Sequence, residues 1–206
     1  NKIAYVLESK SAIKKDDAGN PMTIKKIPAG NYVSVLDISN LRKPIADYRF
    51  GVGNNPTCLA LSKGNDYLAI GAEQFNQELQ IFELNELGKP IKLLARPSFL
   101  GNGTIADLAW SPNGKYLAFI NKTTKEVGII KTILDSETNK IVRLEQFGNT
   151  IKLDENPAMV RFSKDGNYLF VVDTKQDISH EGFAKKGQVF VIKLNFEGKE
   201  NHFLIS

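Results

Sequence analysis

Three stretches of this 206-residue chain align without a gap: Ser62-Lys-Gly-Asn-Asp-Tyr67-Leu68, Ser111-Pro-Asn-Gly-Lys-Tyr116-Leu117 and Ser163-Lys-Asp-Gly-Asn-Tyr168-Leu169. Each follows an alternating apolar segment, marked by Leu59 and Leu61, by Leu108 and Trp110, and by Val160 and Phe162. Each precedes a second apolar run: Leu68-Ala-Ile70, Leu117-Ala-Phe-Ile120 and Leu169-Phe-Val-Val172. Alternation with a period of two is the pattern of a strand, and Gly with Asn at the break supplies a tight turn. The serines stand 49 and 52 residues apart. A strand, a turn and a strand at that spacing form a unit that cannot bury its own apolar surface and must stack on its neighbours.

A second repeated element lies between these. Val33-Ser-Val-Leu-Asp37-Ile-Ser-Asn-Leu41-Arg-Lys43-Pro44-Ile45 matches Leu79-Gln-Ile-Phe-Glu83-Leu-Asn-Glu-Leu87-Gly-Lys89-Pro90-Ile91, and Val189–Lys199 is a third copy. Alternation, a polar break and then Lys-Pro-Ile describe a third strand, a turn and an outer strand that opens on proline. Proline has no N–H and is tolerated where a strand starts or faces an edge. The two elements together predict an all-β protein, a β-propeller of four-stranded antiparallel blades. The blades read as residues 1–53 (incomplete), 54–101, 102–154 and 155–206, a single propeller domain over 1–206. The first lacks its innermost strand, so about four blades are expected. An arc of that size exposes apolar sheet faces and open edges. The reading taken forward is therefore a part of a larger propeller, ahead of two chains completing one ring or a compact four-bladed ring. The remaining blades would come from the rest of a longer chain or from a second subunit.

Composition narrows the function classes. Net charge is +4, but the lysines are interspersed with acids rather than gathered into a stripe, which argues against a nucleic-acid partner. No apolar run approaches the ~20 residues of a membrane helix, so no membrane insertion is expected. Cys58 is the single cysteine and excludes an internal disulfide. The sequence leaves the compartment open, with a secreted or periplasmic location placed ahead of a cytoplasmic one. Gly-rich phosphate loops, Cys/His zinc spacings and a Gly-x-Ser-x-Gly elbow are absent.

Leu108-Ala-Trp-Ser-Pro-Asn-Gly-Lys-Tyr-Leu-Ala118 resembles the WD40-like and lactonase-type (YVTN) β-propeller repeats, and Val35-Leu-Asp-Ile-Ser-Asn40 with its later Lys43-Pro44 is similar to another bacterial propeller repeat. The resemblance covers essentially the whole chain. It implies the fold and, since these repeats are structural, leaves the activity to the site. Propeller geometry places the long connections 8–31 and 174–187 on the same face as the loops that lead into each innermost strand. Long loops on a rigid scaffold are where binding residues concentrate.

On that face the candidate ligand-binding residues are Asn55, Thr104, Asp107, Asn156 and His180. Asp107 lies in an innermost strand, aligned with Cys58 and Met159; it is either a ligand-facing carboxylate or a charge satisfied by nearby backbone or by Arg161. His180 stands with Asp177 and Glu181 but has no second histidine nearby and no metal-site spacing, so no metal ligand is assigned. The first functional expectation is a non-catalytic scaffold that binds a protein or small-molecule ligand without a cofactor. The alternative is a lactonase-type hydrolase with a site on the central axis. The resemblance implies for that reading a set of polar groups converging on the axis, with a divalent cation, drawn from Asp107, Asn55, Asn156, Glu155 and Thr104. A third reading is an extracellular repeat module.

Overall fold

The structure is a computed structural model that describes residues 2–8, 31–73, 77–94, 97, 99–100, 102–153, 156–174, 187–194, 196 and 204–205. Sixteen strands and no helix are found among them. They form four antiparallel sheets in chain order. Sheet one holds β1 (Ile3–Glu8), β2 (Tyr32–Asp37) and β3 (Ile45–Gly51). Sheet two holds β4 (Pro56–Leu61), β5 (Tyr67–Ala72), β6 (Leu79–Leu84) and β7 (Pro90–Leu93). Sheet three holds β8 (Ile105–Trp110), β9 (Tyr116–Asn121), β10 (Glu126–Leu134), β11 (Ile141–Gln146) and β12 (Ile151–Lys152). Sheet four holds β13 (Pro157–Phe162), β14 (Tyr168–Asp173), β15 (Gln188–Lys193) and β16 (Leu204–Ile205).

The repeated serine explains why the turns recur. In all three turns the serine hydroxyl accepts the tyrosine N–H five residues on, at 3.0, 3.0 and 2.9 Å. The serine N–H donates back to the tyrosine carbonyl at 2.8 Å each time. One side chain thus closes a hairpin whose tip holds Asn65, Gly114 or Gly166 at positive φ.

Alternation then decides the packing. On β5, Leu68 and Ile70 face sheet one, with Val33, Val35 and Phe82, while Ala69 faces sheet three. On β9, Leu117 and Phe119 face sheet two, while Ala118 and Ile120 meet Val160, Leu169 and Ile192 of sheet four. Three apolar layers therefore separate four sheets, and β5 and β9, in the two inner sheets, read as continuous apolar runs because both their faces are covered. The first strands β4, β8 and β13 lie beside one another and form the inner edge of the arc.

Two details depart from the expected strands. Sheet three gains β12, because the nine-residue β10 is longer than β11 can cover; Gly148, at φ 69°, turns the chain so that Ile151 and Lys152 pair with Val127 and Glu126. Each of β4, β8 and β13 also carries a register shift at the same place, between Pro56 and Cys58, Ile105 and Asp107, and Pro157 and Met159. One unpaired residue there re-aims the next side chain. Among the described residues sheet one has three strands.

Candidate functional site

The bulge sends Cys58 and Asp107 toward the following sheet, while Met159, at the same place on the last sheet, is exposed. Cys58 meets the Ile105 carbonyl at 3.8 Å, and the neighbouring Thr57 hydroxyl donates to the same oxygen. Burial pushes the Cys58 thiol up to about 11, so it is protonated at neutral pH and unsuited to nucleophilic work. Asp107 does more. Its Oδ2 accepts the Val160 N–H at 2.9 Å across the gap between sheets, and the same oxygen receives Arg161 Nη1. Because β13 pairs only with β14, the Val160 N–H lies on the inner edge, and the carboxylate caps it there. Both partners weighed for Asp107 from the sequence are engaged.

The result is an oriented guanidinium. The Asp107 side chain is 13% exposed and that of Arg161 54% exposed, so the acid is the buried anchor and the base the presented group. At the position of Arg161 the other first strands carry Ala60 and Ala109, which pack into the layers between sheets. A fixed guanidinium presents forked donors suited to carboxylate or phosphate.

The loops leading into β4, β8 and β13 sit at one end of the sheets. Each is tied to the end of the second strand in its own sheet. Glu73 N–H donates to Asn55 O at 3.2 Å, Lys122 N–H to Thr104 O at 2.8 Å, and Thr174 N–H to Asn156 O at 3.0 Å. Asn55, at φ 49°, also reaches Glu73 Oε2 through its amide at 3.3 Å. The Thr104 N–H donates to the Thr123 hydroxyl at 3.0 Å. Asn55, Thr104 and Asn156 thus hold equivalent places at one end of three neighbouring sheets, each bonded within its own sheet rather than to the other two. His180, Glu155, Asp177 and Glu181 lie outside the described residues, as do 9–30. Among the described residues no three His, Cys, Asp or Glu side chains come together to hold a metal.

One residue at this end escaped sequence reasoning. Asp173 is fully buried at the end of β14; its Oδ1 accepts the Asn156 N–H at 2.7 Å, and its Oδ2 has no hydrogen-bond partner among the described residues. The signal was a charge where the repeat carries Ala72 and Asn121. Buried carboxylate oxygens are rarely left unmatched, which marks this as an acceptor held on the loop-bearing face.

No protein-family model matches the sequence, and no curated protein sequence matches it. Solved structures do. A candidate 6-phosphogluconolactonase of Bacteroides uniformis is 18% identical with a TM-score of 0.60, over 85% of this chain and 52% of that one. A second, from Bacteroides fragilis, is 16% identical with a TM-score of 0.60, over 85% of this chain and 49% of that one. A protein from Lactobacillus plantarum is 15% identical with a TM-score of 0.56, over 86% and 52%. At these identities the likeness is one of fold, that of lactonase-like β-propeller proteins, and the chain spans about half the length of the structures it matches.

Proposed function

We propose that this chain supplies about four blades of a lactonase-type propeller, and that Arg161, braced by Asp107, is the anion-binding centre of a site for a sugar lactone with an acidic substituent. The observation that carries this reading is the exposed guanidinium held at the inner edge of β13 by a buried carboxylate. It is supported by the likeness to candidate 6-phosphogluconolactonases, whose substrate class has such a substituent. The guanidinium would bind the phosphate or the ring-opened carboxylate, and the hydroxyl and amide groups of Thr104 and Asn156 at the adjoining sheet ends would orient the sugar. Hydrolysis of a lactone adds water across the ring ester and releases a proton from the product acid. Where a divalent cation takes part, the oxygens suited to it are those of Asp173 and Asn156, since Asp107 is engaged by Arg161.

A scaffold without catalysis is the second reading, favoured by that same engagement of Asp107 with Arg161 and Val160. One experiment separates the two. Proton release is followed by pH-stat on adding a phosphorylated sugar lactone, alongside calorimetric binding of the corresponding open-chain acid. The enzyme reading expects acceleration over buffer that Arg161→Ala reduces about ten- to a hundredfold, through a guanidinium–anion pair worth roughly 1.5–3 kcal/mol. Binding of the acid without acceleration, lost in Arg161→Ala, would establish the scaffold instead. Neither binding nor turnover would remove both.

A further inference from the structure

The opposite end of the sheets carries a second recess. A cleft of about 730 Å³ runs across the foot of sheet two, between the β4–β5 turn and the β6–β7 turn. Its size falls within the ~300–1,000 Å³ of small-ligand sites. Asp66 and Glu86 stand on its walls, Glu83 and Tyr67 on its floor, and Lys140 reaches in from the β10–β11 turn. Ile3 and Tyr5 of β1 close the far side.

Three features show that this recess is built rather than incidental. First, its walls are fixed: the Tyr5 hydroxyl donates to the Gly88 carbonyl at 2.9 Å, and the Ile141 N–H donates to the Tyr67 hydroxyl at 2.8 Å. The Asn85 side-chain oxygen holds the N–H groups of Leu87 and Lys89 at 3.0 and 2.9 Å. Second, Glu83 is buried where its counterparts are not: Asp37, which matches it in sheet one, is exposed. The residue paired with the repeated tyrosine is Glu83 opposite Tyr67, but Lys131 opposite Tyr116 and Lys193 opposite Tyr168. Both lysines are exposed, whereas the Glu83 side chain is only 9% exposed. Third, the buried carboxylate is matched only at the rim. Lys140 Nζ meets Glu83 Oε1 at 2.6 Å from a side chain that is 57% exposed. A buried charge needs a cation, and a cation on a long exposed stem is one that another can replace.

The sign of the lining selects the ligand. Asp66, Glu83 and Glu86 against Lys140 leave two negative charges, which repels anions. Among the described residues no three carboxylate, His or Cys groups converge on a point as a metal would need. Beside the carboxylates lie Leu61, Leu84 and two tyrosine rings, apolar surface of the kind that covers methylene stems while a charged head is satisfied.

We propose that this cleft binds an alkylammonium group, whose cation takes over the place of Lys140 on Glu83. The same chemistry is offered by a free polyamine and by a lysine side chain of a peptide. This site is independent of the loop-bearing end and of any hydrolytic activity.

Calorimetric titration at low salt with spermidine, and separately with a blocked Gly-Lys-Gly peptide, tests it. Saturable binding of at least one is expected. Glu83→Gln should weaken it about tenfold or more, and the exposed Asp66→Asn should weaken it less, with the fold intact. Lys140→Met removes the internal competitor, so it should bind several-fold tighter than wild type, and the amine should raise its melting temperature. Spermidine alone binding identifies a free amine as the ligand; a tighter peptide identifies a protein partner. No saturable binding of either to wild type overturns the proposal. So does binding unchanged by Asp66→Asn and Glu83→Gln, or a Lys140→Met variant that loses binding, as a purely structural ion pair would. If Glu83→Gln does not fold, the opposite signs expected for Asp66→Asn and Lys140→Met decide.

Discussion

Cys58 sits on β4 against Gly71, where a Cβ would lie 2.5 Å from the sulfur and 2.8 Å from Ile105 Cγ2. Glycine is needed there because two sheets close onto the thiol. Desolvation by that packing is the main cause of its raised pKa, from 9.0 to about 11. A thiol whose folded pKa is raised contributes stability that is whole below 9.0 and is lost as pH climbs toward 11. The loss is about 3 kcal/mol. Denaturation midpoints should therefore fall more steeply between pH 9 and 11 in wild type than in Cys58→Ala, and iodoacetamide at pH 8 should label Cys58 only after unfolding; rapid labelling of the native protein would show the thiol is open. Single residues also show where sequence reading stops. Asp107 was legible because its strand register and the nearby Arg161 were both visible in the repeat. Glu83 was not, because its partner Lys140 is 57 residues away on another sheet, and only burial reveals its cost. Asp173 differs: its partner Asn156 is 17 residues away in its own sheet, and only its full burial sets it apart.

At the scale of the element, the hairpin was the most legible part of this chain. Ser-x-x-x-x-Tyr-Leu encodes a local hydrogen-bonded ring, so its geometry depends on residues within one window. β12 was illegible for the converse reason: its two residues are too few to show a strand pattern, and they pair only because β10 outruns β11. The bulges of β4, β8 and β13 recur with Thr57, Ala106 and Ala158 at the unpaired position, none of them a Gly, Asn or Asp that would announce a bulge. The three serines make a graded test. The bond to Tyr67 is buried, that to Tyr116 partly buried and that to Tyr168 exposed. Removing the hydroxyl strands an N–H that water can rescue only at the last. Ser62→Ala and Ser111→Ala should each cost about 1–2 kcal/mol in urea unfolding and Ser163→Ala about 0.5 kcal/mol or less. Equal losses at all three would mean that the ring, rather than burial, sets the energy.

For the whole molecule, alternation has an unequal outcome at the two ends of the arc. Sheet four turns Val160, Leu169, Val171 and Ile192 toward sheet three, so Met159, Phe170 and Val189 on its other face are exposed. Sheet one turns Val33, Val35 and Phe50 toward sheet two and shows on its other face Val6 beside a polar group, in which Glu8 meets Arg49 at 3.1 Å and the Ser34 hydroxyl. A repeat stack leaves apolar surface only where it expects another repeat, and exposed patches of this kind drive association. Sheet four is therefore the face on which a further blade, or a second copy, would pack in the propeller we propose. Sedimentation of the 206-residue chain should show association that grows with concentration, and binding of a hydrophobic dye should accompany it. Phe170→Glu places a charge in the middle of the exposed face without touching the layer against sheet three, so it should shift the chain toward monomer and reduce dye binding while the melting temperature changes little. A wild-type chain that stays monomeric and binds no dye would show that this face is not adhesive. A large fall in melting temperature for Phe170→Glu in the dilute, monomeric chain would show that Phe170 already packs within it, and that the arc closes on itself.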